Sequence, residues 1–284
     1  MPHIRADPSC CLRLPFVAAA FLMTTTPAFA QATQDPIPTA APLPAQIELN
    51  LINLPTTQSL SRHHSYFRIT HRFARDLRRG SLGQLAEDLF SLDNGAVIGL
   101  EYRFAVTGSL QAGVHRSMLS KTIWTFARWD GLRQGDARPL SLSVMASVEG
   151  LDNMRLHRQP GVAVTVSRTF GDVLAVYATP AFVSGTHAVD FISGHDEGHD
   201  DTSFLGLGAR VRVCRSCYIT GEYTPRLSGY DPNASTWGVA IEKRTGGHTF
   251  QINFTNSFGT TLGQLARGGS PHDVYLGFNI TRKF

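Results

Sequence analysis

From Ser65 to Phe284 apolar residues recur at every second position, in segments of about ten residues separated by Gly, Asp, Asn or Pro clusters. A period of two is the signature of strands, because successive side chains point to opposite faces of a sheet. In Ser65 to Phe73, Phe67, Ile69 and Phe73 share one face and Tyr66, Arg68, Thr70 and Arg72 the other. The pattern repeats in Ala96 to Phe104, with Ile98, Leu100, Tyr102 and Phe104 opposed by Gly99, Glu101 and Arg103. It is regular again around Val144, Val164, Leu207, Ile219, Val239, Ile252 and Phe278, weaker over Lys121 to Trp129, and apolar on both faces over Val173 to Val183, where the orientation stays open. The count is about twelve strands, and no stretch approaches the roughly 18 to 20 uninterrupted apolar residues that would span a bilayer as a helix.

Many alternating strands suit either a soluble sandwich or a membrane barrel with its apolar face turned to lipid. Three features favour the barrel. The connections alternate between tight ones, such as Gly171 to Asp172, Arg215 to Ser216 and Thr245 to Gly247, and longer ones. The polar face is built from Gly, Ser, Thr, Asn, Gln and Arg, and only 17% of the chain is charged. The chain stops on Phe284, an apolar residue of the expected lipid face, as expected of a strand handed to the outer-membrane assembly machinery. Lipid offers no partner to backbone N–H and C=O groups, so only a closed sheet satisfies every edge. The expected fold is therefore all-β: a closed up-and-down antiparallel transmembrane β-barrel of about twelve strands, with short periplasmic turns, longer outer loops and a lipid bilayer around it.

Residues 1–30 read as a secretory signal: Arg5 and Arg13 precede an apolar run from Leu14 to Met23, and Ala28 to Ala30 supplies small residues before a cleavage at Gln31. Cys10 and Cys11 would leave with it, and Cys214 and Cys217 would remain. Residues 31–64 are expected to form a Pro-rich periplasmic tether and lead-in, followed by the barrel over 65–284. Within the lead-in, IELNLINLPTTQSLSRHH fits either a short strand or a stretch lying against the domain. The formal charge of +4 is too mild to argue for nucleic acid, and the expected destination is the bacterial outer membrane.

The stretches LPTTQSLSRHHSYFRITHRF, DLFSLDNGAVIGLEYRF, KRTGGHTFQINFTNSFG and YLGFNITRKF resemble a bacterial family catalogued as domain of unknown function 5777, a β-barrel family. The likeness runs from about Asn53 to Phe284. It implies a barrel and no catalytic chemistry or cofactor.

With this orientation the lumen carries Arg68, Arg72, Arg103, Arg210, Arg212 and Lys283, opposed by Glu101, Glu149 and Glu222. A confined file of guanidinium groups attracts small anionic solutes, which makes a narrow diffusion channel the favoured function. Arg and Glu from neighbouring strands could instead pair and fill the interior, since about eight strands are packed by side chains and about sixteen leave a channel. The alternative is then a sealed barrel serving as membrane anchor or docking base for a periplasmic partner.

Other candidates are weaker. His195, Asp196 and His199, in SGHDEGHDD, have metal-ligand chemistry but match no metal motif, and a solvated acidic loop tip is preferred. Ser193, His195 and Asp190 have the residue types of a surface hydrolase, though adjacency in one loop is poor evidence for geometry, and no enzyme is expected. Cys214 and Cys217 form C-x-x-C at a tight turn, read as a local disulfide in an oxidising compartment. Leu82, Leu85, Ala86, Leu89 and Phe90 fall at helical spacing in the first long loop, as a plug, a rim element or, preferably, a stretch packed against other outer loops without a gating role.

Overall fold

The computed structural model describes residues 44–89, 92–93, 95–186, 201–229 and 234–284. Twelve antiparallel strands form one sheet: β1 Ser65–Asp76, β2 Ala96–Ala105, β3 Leu110–Ser117, β4 Ile123–Leu132, β5 Ser141–Gly150, β6 Leu156–Phe170, β7 Leu174–Val183, β8 Thr202–Arg212, β9 Cys217–Thr224, β10 Thr236–Thr245, β11 His248–Thr255 and β12 Tyr275–Lys283. Pro225 has no N–H to give the ladder, so β9 breaks there and resumes as Arg226–Gly229 against β8.

Each strand pairs with its sequence neighbours, and β1 pairs with β12, placing Ile69 opposite Ile280. The sheet is closed. Ser65 and Phe284 meet at one end, here the terminal end, through the bond from the Phe284 amide to the Ser65 carbonyl at 2.9 Å. The tight turns lie at that end and the longer connections, such as 77–95 and 256–274, at the other, the distal end.

The apolar stripe faces outward. Ile241 and Ile252 are 64% and 58% exposed, while Arg68, Arg72, Arg103 and Arg210 are at most 1% exposed. That inversion of a soluble protein's pattern is stable only against hydrocarbon. The segments left open by the sequence resolve in the same way. On β7, Ala175, Tyr177, Thr179, Ala181 and Val183 turn inward, and on β4 Trp124, Phe126 and Arg128 do so while Trp129 faces out. The apolar inward side chains thus gather on β4–β8, interrupted by Arg128, Asp130, Glu149 and Arg210, while the inward faces of β1, β2 and β9–β12 are mainly polar and charged.

The apolar wall exists because something apolar lies against it. Leu51 and Leu54 of the lead-in, and Leu262 and Leu265 of the loop between β11 and β12, cluster with Trp124, Phe126, Met145, Tyr177 and Phe204. In the first long loop, α1 (Leu82–Glu87) is capped by Ser81 and lies at the distal rim with Leu82 80% exposed, so the bore is occupied by other segments.

The lipid-facing assignment predicts that Ile252→Arg, near the middle of β11, lowers the unfolding free energy in vesicles by about 2–4 kcal/mol. Ile252→Leu, which keeps an apolar side chain at the same depth, serves as the control, and denaturant titration checks both.

Candidate functional site: a hairpin inside the bore

Residues 45–60 enter at the terminal end, run toward the barrel middle, reverse and return to β1. Tyr218 near the terminal end gives its hydroxyl to the Pro44 carbonyl at 3.0 Å, marking the entry. The reversal is a tight turn: the Leu51 amide donates to the Leu54 carbonyl at 2.8 Å, Asn50 bridges Pro55, and the Thr56 amide donates to the Leu49 carbonyl at 2.9 Å. Ile47, Leu49, Leu51, Ile52 and Leu54 are at most 2% exposed.

A turn sunk in a lumen must find acceptors for its backbone N–H groups, which are costly to bury unpaired. Glu222 on β9 supplies them. Its Oε2 accepts from the amides of Ile52 (3.1 Å), Asn53 (2.8 Å) and Leu54 (3.0 Å), and its Oε1 from Asn53 Nδ2 (2.8 Å). One carboxylate therefore holds the whole tip.

The cations of the wall take the hairpin's oxygens. Arg68 donates to the Ile52 carbonyl, Arg72 to Asn53 Oδ1 (3.0 Å), Arg103 to Asn50 Oδ1 (2.8 Å), Arg210 to the Asn50 carbonyl (2.8 Å), Arg128 to the Gln58 carbonyl (3.0 Å) and Lys283 to the Ile47 carbonyl (2.5 Å). Neutral residues of the same wall join in. Asn279 Nδ2 also donates to the Ile52 carbonyl at 3.1 Å, and Gln251 Nε2 to the Leu51 carbonyl at 3.1 Å. Space is made by glycine: a Cβ at Gly206 would fall 2.6 Å from Leu54 Cδ2, and one at Gly208 would overlap Leu51. Between hairpin and charged wall lies an internal cavity of about 10 Å³ bordered by Glu48, Asn50, Tyr66, Arg68 and Thr281, room for about one water.

Distal to the tip, the loop 256–269 folds inward. Its short helix α2 (Leu262–Ala266), capped by Thr261, is buried throughout. Glu149 accepts from the Gly263 amide at 3.0 Å and pairs with Arg267 at 3.4 Å, while Gln264 Nε2 donates to Thr122 Oγ1 at 3.2 Å. His115 Nε2 lies 2.9 Å from Thr260 Oγ1, and its Nδ1 is 3.6 Å from Glu101. Leu51 and Leu54 of the hairpin and Leu262 and Leu265 of the loop belong to one buried apolar cluster, so the interior is occupied at two successive levels.

The nine residues read from the sequence as lumen-lining divide by task. Arg68, Arg72, Arg103, Arg210, Lys283 and Glu222 grip the hairpin. Glu101 holds Arg103 and faces Arg68, and Glu149 holds the loop. Arg212 sits at the terminal rim, paired with Asp172 of the β6–β7 turn at 2.5 Å. Sequence reasoning missed Arg128 with Asp130, Glu242 as the partner of Arg210, and His115. One signal was available, since Glu101 with Arg103 and Arg128 with Asp130 are opposite charges two residues apart, hence on one face of a strand. Cys214 and Cys217 lie in disulfide contact across the β8–β9 turn, with a Cα–Cα distance of 4.8 Å. Among the described residues no group of three His, Cys, Asp or Glu side chains gathers as a metal site. Asp190, Ser193, His195, Asp196 and His199 lie outside the described residues.

A family model described as a membrane-bound β-barrel domain, DUF5777, matches residues 48–284. The chain belongs to this family. The match begins at Glu48, inside the hairpin, so the family domain includes most of the plug as well as the strands. No match is found among curated proteins. Among solved structures the chain is similar to the KdgM porin (10% identity, 78% of this chain and 99% of that one, TM-score 0.48) and to the NanC porin (8%, 78% and 98%, TM-score 0.49). It is also similar to the Escherichia coli outer membrane phospholipase A (9% identity, 80% and 95%, TM-score 0.41).

Glu222→Ala removes the shared acceptor of the tip, and hydrogen bonds to a charged group contribute about 1.5–3 kcal/mol each. The amides of Ile52, Asn53 and Leu54 are therefore expected to exchange with deuterium about thirtyfold faster, equivalent to about 2 kcal/mol. Amides of the β1–β12 seam should exchange at an unchanged rate.

Proposed function

We propose that this protein is an exported outer-membrane barrel whose bore is a narrow path for small anionic solutes, closed in the state described by its own N-terminal hairpin. The observation that carries the reading is the grip itself. Five arginines and Lys283 hold the hairpin mainly through neutral carbonyl and amide oxygens, so withdrawal of the hairpin leaves those cations lining a water-filled passage. Confined positive groups of that kind favour anions over cations. Withdrawal also takes Glu48 out of the bore, which makes the interior more positive.

The hairpin enters from the end where both barrel termini lie, which in this reading is the periplasmic side. Its N-terminal continuation is the Pro-rich segment that reads as a tether. The loop carrying α2 lies on the far side of the tip, so among the described residues it does not stand between the plug and the periplasm.

The filled bore also favours a second reading, a barrel kept permanently sealed as a docking base for a periplasmic partner. Planar-bilayer recording of the full chain and of Glu222→Ala separates the two. The channel reading expects rare openings of the unmodified protein and open times raised at least about tenfold in the variant, in proportion to the lost hydrogen bonds. The reversal potential in a salt gradient should report anion preference. Cation preference would defeat the anionic assignment. Silence from a variant whose hairpin exchanges freely would defeat the channel and leave the sealed base.

Export is checked on the same preparation. Protein purified from outer membranes is expected to begin at Gln31 and to take up two thiol labels after reduction and none before it, measured by intact mass.

A further inference from the structure

Three wall arginines share one arrangement. Arg103, Arg128 and Arg210 each give Nε to a wall carboxylate: Glu101, Asp130 at 2.8 Å and Glu242 at 2.7 Å. Each gives Nη2 to an oxygen of the hairpin. In each the remaining Nη1 is buried with no acceptor among the described residues. Arg72 is similar, with Nη1 on Asn279 at 2.9 Å, Nη2 on Asn53 and its buried Nε without an acceptor.

A guanidinium presents its N–H groups as a fork, and the acceptor that fills a fork is a carboxylate or phosphate taking two parallel bonds. On Arg103 the wall carboxylate anchors the Nε edge, and the Nη pair turned toward the hairpin meets one neutral oxygen where an oxyanion would supply two. On Arg210 Glu242 takes both Nε and Nη2, the latter shared with the Asn50 carbonyl, and Nη1 is the donor left over. The four arginines around the tip, Arg68, Arg72, Arg103 and Arg210, grip oxygens of Asn50, Ile52 and Asn53, a stretch of at most about 10 Å of chain.

We infer that the tip Asn50 to Asn53 is an internal stand-in for a multivalent oxyanion, carboxylate or phosphate, and that such a solute opens the bore by taking the tip's place on Arg68, Arg72, Arg103 and Arg210. The inference rests on the reading of the bore as an anion path and adds the solute class and the trigger. A single small anion does not suffice. The tip is tethered at both ends, so its effective concentration at the cradle is of the order of millimolar or above. It also keeps Glu222 and the Leu51 and Leu54 packing on its side. A solute with two or more oxyanion groups engages several forks at once and overcomes that advantage.

The test is the accessibility of the tip. In full-length protein carrying Cys214→Ser, Cys217→Ser and Ile52→Cys, folded in vesicles, the rate of labelling by a water-soluble maleimide is followed. Millimolar citrate or pyrophosphate is compared with chloride at matched ionic strength. At least about tenfold faster labelling is expected with one or both, a shift on the scale of one charge-assisted hydrogen bond. A response to citrate alone identifies carboxylate as the source, and a response to pyrophosphate alone identifies phosphate. Deuterium exchange at the Asn53 amide of the unsubstituted chain gives the same readout without a change in the tip. Labelling and exchange held at the chloride rate, while Glu222→Ala accelerates exchange, would overturn the inference. If Glu222→Ala conducts but the anions release nothing, the stand-in fails and the channel survives. If the anions release the tip but no current follows, the cradle stands and the channel fails.

Discussion

Closure of the sheet between β1 and β12 decides what the rest of the chain has to do. Hydrocarbon accepts no unpaired backbone edge, so the strands pair all the way round and turn their apolar side chains outward. The inner surface is then enriched in whatever lipid would reject, including five buried arginines. Twelve strands enclose more space than their own side chains fill. Among the described residues two inserted segments enter that space, the hairpin from the terminal end and the loop with α2 from the distal end.

The electrostatics follow from that filling. A buried guanidinium is tolerable only when its donors are met. Part of the compensation is ionic, through Glu101, Asp130 and Glu242 at the Nε edges. The rest comes from carbonyl and amide oxygens of the hairpin, which bring no charge of their own. Glu222 is the mirror image, a buried carboxylate whose acceptor capacity is met by neutral N–H groups of the same hairpin. Plug and wall are thus joined by charge-assisted but unpaired contacts, and removing the plug exposes charge on the wall without leaving much on the plug. The apolar side differs, since Leu51 and Leu54 sit against Tyr177, Phe204 and Phe126 and contribute burial with little directionality.

The strands were legible because lipid on one side and a polar bore on the other impose a strict two-residue period, as Ile69, Ile252 and Phe278 show. Legibility failed where both faces are apolar. On β7 the inward face carries Ala175, Tyr177 and Ala181 because it packs against the inserts, not against water, and no local pattern reveals that. The same applies to Ile47, Leu49 and Leu51. They alternate with Glu48 and Asn50 as a strand should, but the surface they require belongs to strands far along the chain. The individual roles of the inward arginines were hidden for a related reason. Composition gives their sign, and only the hairpin's course shows that Arg103 and Arg210 grip the same residue from two walls.

The hairpin precedes β1 directly, and the seam partner of β1 is the C-terminal strand β12. The enclosed segment is therefore joined covalently to one of the two strands that close the ring, so the seam and the filling of the bore are coupled. The arrangement resembles staves around a mandrel: Arg68 and Arg72 on the first stave and Asn279 and Lys283 on the last grip the same segment from the two sides of the joint, so a fault in the mandrel is felt where the ring is fastened.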